Sequence, residues 1–110
     1  MIVRLLEPAQ AELDEAIAWY SNQVPGLGNA FLLETLKAIQ LIELFPLAWH
    51  PLTAEVRRCR LRRFPYSVVY VEEAGELLVL AIAHQHRRPG YWRDRLTWRL
   101  RRAAAPPAGR

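Results

Sequence analysis

Tyr66-Ser67-Val68-Val69-Tyr70-Val71 and Leu77-Leu78-Val79-Leu80-Ala81-Ile82-Ala83, with Glu73-Ala74-Gly75-Glu76 between them, decide how this chain folds. The first run is β-branched and aromatic, which suits a pleated surface. The second is apolar at every position, as expected of a central strand covered on both faces. The short polar, glycine-containing link between them reads as a hairpin turn. Upstream, Val56 to Arg63 alternates in part: Arg58, Arg60 and Arg62 point one way, Cys59 and Leu61 the other. Phe64-Pro65 ends that run. The second half is therefore expected to be a three-stranded antiparallel meander.

Working back from the meander, 46–55 carries Pro46, Trp49, His50 and Pro51 and reads as a loop. Before it the period is helical. Phe31, Leu32, Leu36, Ile39, Ile42 and Leu44, with Leu33 and Leu41, give an apolar surface wider than one stripe. That helix is expected from Asn29, a plausible N-cap, to about Leu44, because Pro46 disfavours helix at Phe45. Pro25-Gly26-Leu27-Gly28 breaks it from an earlier helix, about Pro8 to Asn22, with Leu13, Ala16, Ile17 and Tyr20 on one face. Glu12, Asp14 and Glu15 fall mostly elsewhere, near the positive end of the helix dipole. Ile2 to Leu6 is short and apolar, a strand that joins the sheet. The expected fold is α+β, in the order β-α-α-β-β-β, with a helical hairpin packed on a small antiparallel sheet. Tyr91 to Arg102 reads as a short basic C-terminal helix. A single domain is expected over 1–102, followed by a disordered Ala/Pro-rich tail at 103–110.

Of 110 residues, 52% are apolar and 24% charged, an ordinary globular balance that rules out disorder over the whole chain. The longest apolar run has seven residues, against the roughly 20 of a membrane span, so no membrane role is expected. The N-terminus has no signal-peptide pattern, and Cys59 alone makes no internal disulfide; a cytoplasmic, reducing location is expected. The net charge of +4 conceals a polarity. Residues 1–55 hold two basic residues and seven acids, net −5; residues 56–110 hold thirteen arginines and four acids, net +9. Such asymmetry implies an acidic partner, nucleic acid or peptide, for the second half.

Three segments resemble the RelE/ParE superfamily, the toxin halves of bacterial type II toxin–antitoxin modules. They are Ala11-Glu12-Leu13-Asp14-Glu15-Ala16 with Trp19-Tyr20 and Pro25 to Phe31; Arg62-Arg63-Phe64-Pro65-Tyr66-Ser67-Val68-Val69-Tyr70; and Ala83-His84-Gln85-His86-Arg87-Arg88-Pro89-Gly90-Tyr91-Trp92-Arg93-Asp94-Arg95. The resemblance spans roughly 3–95, and its last segment looks most like the ParE-like, plasmid-stabilisation branch. It implies a cognate antitoxin and a growth-inhibiting activity. In the ParE-like branch the activity is binding to a replication target, DNA gyrase. In the RelE-like branch it is metal-independent cleavage of messenger RNA on the ribosome. A basic nucleic-acid-binding module or an inactive toxin homologue are further alternatives. Homodimer and hetero-oligomer with antitoxin both stay open. No cofactor is expected.

Nuclease members carry two basic residues on the first meander strand, which look like Arg58 and Arg60. After the last strand they carry an Arg and a Tyr, roles open to Arg87 or Arg88 and Tyr91. They also carry an Arg where this chain has Ser67. Serine cannot replace a bidentate, permanently charged phosphate clamp. The resemblance therefore leans to the non-nuclease branch. The expected partner or nucleic-acid contacts are Arg58, Arg60, Arg62, Arg63, Arg87 and Arg88. Bland readings stand beside these. The arginine stripe can be a solvated sheet face. Trp92 can pin the C-terminal segment to the domain. Cys59 can be inert core. His84 and His86 share a strand face but have no third ligand nearby, so no metal site is expected.

Overall fold

The computed structural model describes residues 1–97. The elements run β1 (Ile2–Leu5), α1 (Glu7–Gln23), α2 (Leu27–Leu44), β2 (His50–Pro51), β3 (Val56–Arg60), β4 (Tyr66–Glu73) and β5 (Glu76–His84), followed by a 3-10 turn over Arg93–Leu96. The sheet order is β1-β5-β4-β3-β2. The α+β class, the helical hairpin and the meander are as the sequence implies. Four details differ. The sheet is mixed, because β1 lies parallel to β5, from Ile2 opposite Glu76 to Leu5 opposite Val79. No tight turn links these two strands, so nothing forces them antiparallel; the connection through two helices covers the sheet instead. The segment expected to be loop contributes a short edge strand, β2, whose Pro51 is tolerated because an edge needs no second ladder. The second helix starts at Leu27 behind Gly26, whose φ of +85° suits glycine, so Asn29 sits inside the first turn and is not the cap. Where the C-terminal helix was expected, the described residues form a 3-10 turn over Arg93–Leu96 and Thr97 is helical; the rest of that helix, to Arg102, and the tail at 103–110 lie outside the described residues.

The helices bury one face of the sheet. Ala9, Leu13 and Ala16 of α1 and Phe31, Ala38, Ile39 and Ile42 of α2 pack on Cys59, Val68, Tyr70, Leu77, Val79 and Ile82. Tyr20, Phe31 and Phe64 form an aromatic knot, with Phe31 and Phe64 edge-to-face at 5.1 Å and Tyr20 and Phe64 at 4.9 Å. On the opposite face Val56, Val69, Val71, Leu78, Leu80 and Ala81 pack together, and Trp92 from the C-terminal segment closes over them. That second layer is why β5 is apolar at nearly every position. The hairpin turn is Ala74-Gly75, both at positive φ, the geometry that matches strand twist in a two-residue loop.

One irregularity positions the site. The β4–β5 register slips between Val69, opposite Ala81, and Tyr70, opposite Val79. Leu80 is the extra residue of a β-bulge, and Leu80 and Ala81 both face the second layer. Beyond the bulge the parity of β5 inverts. Ile82 turns to the helices, and Ala83 joins the second layer.

Candidate functional site

β1 ends at Leu5 while β5 runs on to His84, which leaves the far end of β5 uncovered on that side. Side chains complete it. The Glu12 carboxylate, in the first half of α1, accepts the Ile82 N–H at 3.0 Å. Arg95 donates to Leu80 O at 3.0 Å and reaches both Glu12 oxygens, at 2.8 and 3.0 Å. The Tyr91 hydroxyl donates to Glu12 at 2.7 Å, and Arg87 lies 3.8 Å from the same carboxylate. The Arg87 guanidinium also sits 3.9 Å over the Tyr91 ring. Glu12 and Arg95 are each only 14% exposed, so this is a bidentate pair in partly desolvated surroundings. Burial first, then the bond to Glu12, pushes the Tyr91 phenol far above its ordinary pKa.

The clasp holds residues 85–93 as a wall beside the sheet. Between wall and sheet lies a cleft of about 300 Å³ on the face away from the helices. Its floor is Ser67 and Val69 of β4 and Ala83 of β5, a row on which Arg58 of β3 stands opposite Val69. Arg87, Arg88, Gly90, Tyr91, Trp92 and Arg93 form the wall. Gly90 has φ of +77°, and a Cβ there would lie 2.6 Å from Nε of Arg93, so glycine is what lets that guanidinium fold against the loop. Among the described residues, four arginines line the cleft and no carboxylate does. Nε of Arg58 is buried and has no hydrogen-bond partner among the described residues. His84, at the mouth, accepts the His86 N–H on Nδ1 at 3.0 Å and packs on Tyr66 at 5.0 Å.

The other expected arginines lie elsewhere. β3 stops at Arg60, so Arg62 leaves the alternating stripe. The chain reverses there because Glu34 of α2 accepts the N–H groups of Arg62 and Arg63, at 2.6 and 3.0 Å, and the Arg63 side chain at 3.0 Å. Burial pushes the Glu34 carboxyl up, but these bonds outweigh it and hold it below its ordinary range. Arg60, Arg62 and Arg63 line a groove of about 820 Å³ between α2 and β3, with Leu33, Lys37 and Leu41 on its helix side. The arginine set expected from sequence therefore divides: Arg58, Arg87 and Arg88 line the cleft, Arg62 and Arg63 the groove, and Arg60, opposite Ser67 of the cleft floor in the β3–β4 register, borders the groove. Nothing in the sequence marks Glu12 and Arg95 as a pair. Each was visible only as one charge in a charged segment, and 83 positions separate them. Trp92 is 5% exposed in the second layer, and Cys59 is buried with its thiol pKa raised by burial.

A family model for the ParE toxin of the type II toxin–antitoxin system parDE matches residues 3–89. The chain belongs to the ParE toxin family. Among solved structures, a chain of the chromosomal ParDE toxin–antitoxin system from P. aeruginosa has the same fold, at a TM-score of 0.67 and 18% identity, over 76% of this chain and 95% of that one. No curated protein matches the sequence significantly. The family match contains Glu12, Arg58 and Ser67 but stops before Tyr91 and Arg95, the partners that complete the clasp in this ParE-family chain. No helix among the described residues is long and apolar enough to cross a membrane.

Proposed function

We propose that this ParE-family chain arrests growth by binding a protein of the replication machinery, DNA gyrase being the expected target, and that a cognate antitoxin neutralises it. Ser67 carries this reading. It lies on the cleft floor at the position where the nuclease members of the superfamily, by the resemblance above, hold a phosphate-clamping arginine. Losing one such group costs a transition state about 2.7–4 kcal/mol by analogy with a deleted oxyanion donor. Tyr91 adds to the case. Its proton is committed to Glu12 and its phenol resists ionisation, which disfavours acid–base work. The endoribonuclease remains the second reading, because Arg58, Arg87, Arg88 and Tyr91 share one cleft.

The groove between α2 and β3 suits an amphipathic, acidic antitoxin segment. Leu33, Ala38 and Leu41 offer an apolar floor, Lys37, Arg60 and Arg62 a basic rim, and Glu34 is already engaged by Arg63. Induced expression tests the activity. Filamentation and an SOS response with intact messages are expected; rapid loss of translation with messages cut in polysomes would establish the nuclease instead. Arg60→Glu with Arg62→Glu is expected to abolish neutralisation by the antitoxin encoded beside this gene. Full neutralisation of that variant would remove the groove from the interface.

A further inference from the structure

We propose that a small pocket between α1 and the sheet receives one guanidinium or ammonium side chain of a protein partner. The pocket lies on the helix side of the sheet, and the proposal depends neither on the identity of the target nor on the chemistry of the arginine cleft. Glu12, Glu15 and Trp19 of α1 line it, with Tyr66 of β4, His84 of β5 and Arg87.

The two carboxylates are not equivalent. Glu12 is saturated, because Arg95 and Tyr91 bind it directly and Arg87 stands 3.8 Å away. Glu15, its neighbour on the same face of α1, makes no ion pair and no hydrogen bond among the described residues. Arg87, stacked on Tyr91 at 3.9 Å, lines both this pocket and the cleft and stands between them. The pocket thus holds one uncompensated carboxylate. The Tyr66 phenol registers its field: burial first, then the charges of Tyr20, Glu12 and Glu15, hold it above its ordinary pKa.

Aromatic rings surround that charge. Trp19, one helical turn beyond Glu15, is 58% exposed, and Tyr66 and His84 meet edge-to-face at 5.0 Å. Indole offers a cation the best of the aromatic faces, and Trp and Arg are both enriched where interfaces hold most of their energy. A carboxylate beside π faces is the donor set for a single organic cation. No three His, Cys, Asp or Glu side chains among the described residues could hold a metal ion. Size narrows the guest further. Pockets for whole small-molecule ligands begin at roughly 300 Å³, so a cavity of about 220 Å³ suits the end of one side chain. The cleft and the groove call for acids; this pocket calls for a base.

Titration of the isotope-labelled full chain at fixed ionic strength, followed by the NMR signal of the Trp19 indole N–H, tests this. Trp19→Phe identifies that signal by removing it. The probes are N-acetyl-argininamide, N-acetyl-lysinamide, N-acetyl-citrullinamide and spermidine. At least one of the cationic amides is expected to shift the signal saturably, with a dissociation constant on the order of 1–10 mM, the value of one charge-assisted bond and one cation–π contact. The citrulline amide, as large as arginine but uncharged, is expected to leave it in place. Glu15→Gln is expected to weaken binding about fivefold to tenfold. Glu7→Gln removes an equal charge from the first turn of the same helix, outside the pocket, and is expected to leave affinity within about twofold. Both glutamates are exposed, so neither change disturbs the core. Equal weakening by the two variants, citrulline binding as tight as arginine, or no saturable shift with either cationic amide up to about 100 mM would each overturn the proposal. Spermidine bound more tightly than either amide, and lost with Glu15→Gln, would make the guest a free polyamine and overturn it too.

Discussion

Arg95 and Arg58 stand on opposite sides of the same short loop and live under opposite conditions. Arg95 makes three hydrogen bonds of 2.8–3.0 Å, two to a carboxylate and one to a backbone carbonyl. Arg58 has a buried Nε that bonds to nothing among the described residues. The first is a structural part that ties α1 to the end of β5. The second is a charge held ready. A net charge of +4 describes neither, because the acids of the first half pair with particular arginines of the second half, Arg87 and Arg95 among them, and not with Arg58.

The strongest way to break this contrast is Glu12→Gln. It strips Arg95 of its counter-charge in partly desolvated surroundings and should cost about 2–4 kcal/mol, read from chemical denaturation. Arg95→Leu added to it should cost little more, since the two changes disable one unit; additive losses would show that they act separately. Alkaline pH is next. Burial raises Tyr91 strongly and Tyr70 to about 12, the latter donating to Pro46 O at 2.6 Å. Because both folded pKa values are raised, their contribution is whole below the ordinary value near 10 and drains away as pH climbs from there towards 12. Melting temperature should fall steeply in that window, and Glu12→Gln should make one tyrosine ionise earlier in an ultraviolet titration. Glu34 gives a smaller effect of the other sign. Its folded pKa is depressed, so its stabilisation is present above the ordinary value of 4.5 and is lost as pH falls below it. Glu34→Gln should cost about 1 kcal/mol at neutral pH, with the difference from the parent vanishing in acid. The smallest effect sharpens the contrast most. Arg58→Met should change stability by less than about 1 kcal/mol, or raise it, because no bond is lost. A loss as large as that of Glu12→Gln would place Arg58 among the structural residues.

The sequence was most informative where periodicity speaks. The all-apolar run Leu77 to Ala83 correctly implied a strand covered on both sides, and the helix stripe through Leu13, Ala16, Ile17 and Tyr20 is the buried face of α1. The cleft was half legible: alternation picked out Arg58, and the family pattern picked out Ser67. The bulge was not, since a fully apolar strand shows no break in phase when its parity inverts at Leu80. Nor was the direction of β1, which a short run of four apolar residues around Arg4 does not encode. The division of the arginines depended on Glu34, whose reach to Arg62 and Arg63 spans 28 and 29 positions. Pairings at such separation have no local signature.

The Glu12 clasp also has a meaning in time. It joins a residue made early in synthesis to one 83 positions later, near the end of the described chain. Helix α1 and its hairpin can form while the ribosome is still far upstream, but the wall of the cleft is not fully fastened until Tyr91, Trp92 and Arg95 have emerged. A chain halted at residue 90 would carry Arg58, Arg87 and Arg88 with the enclosure unmade. The cleft is thus completed only once Arg95 has been made, later than the helices and the strands on which it is built.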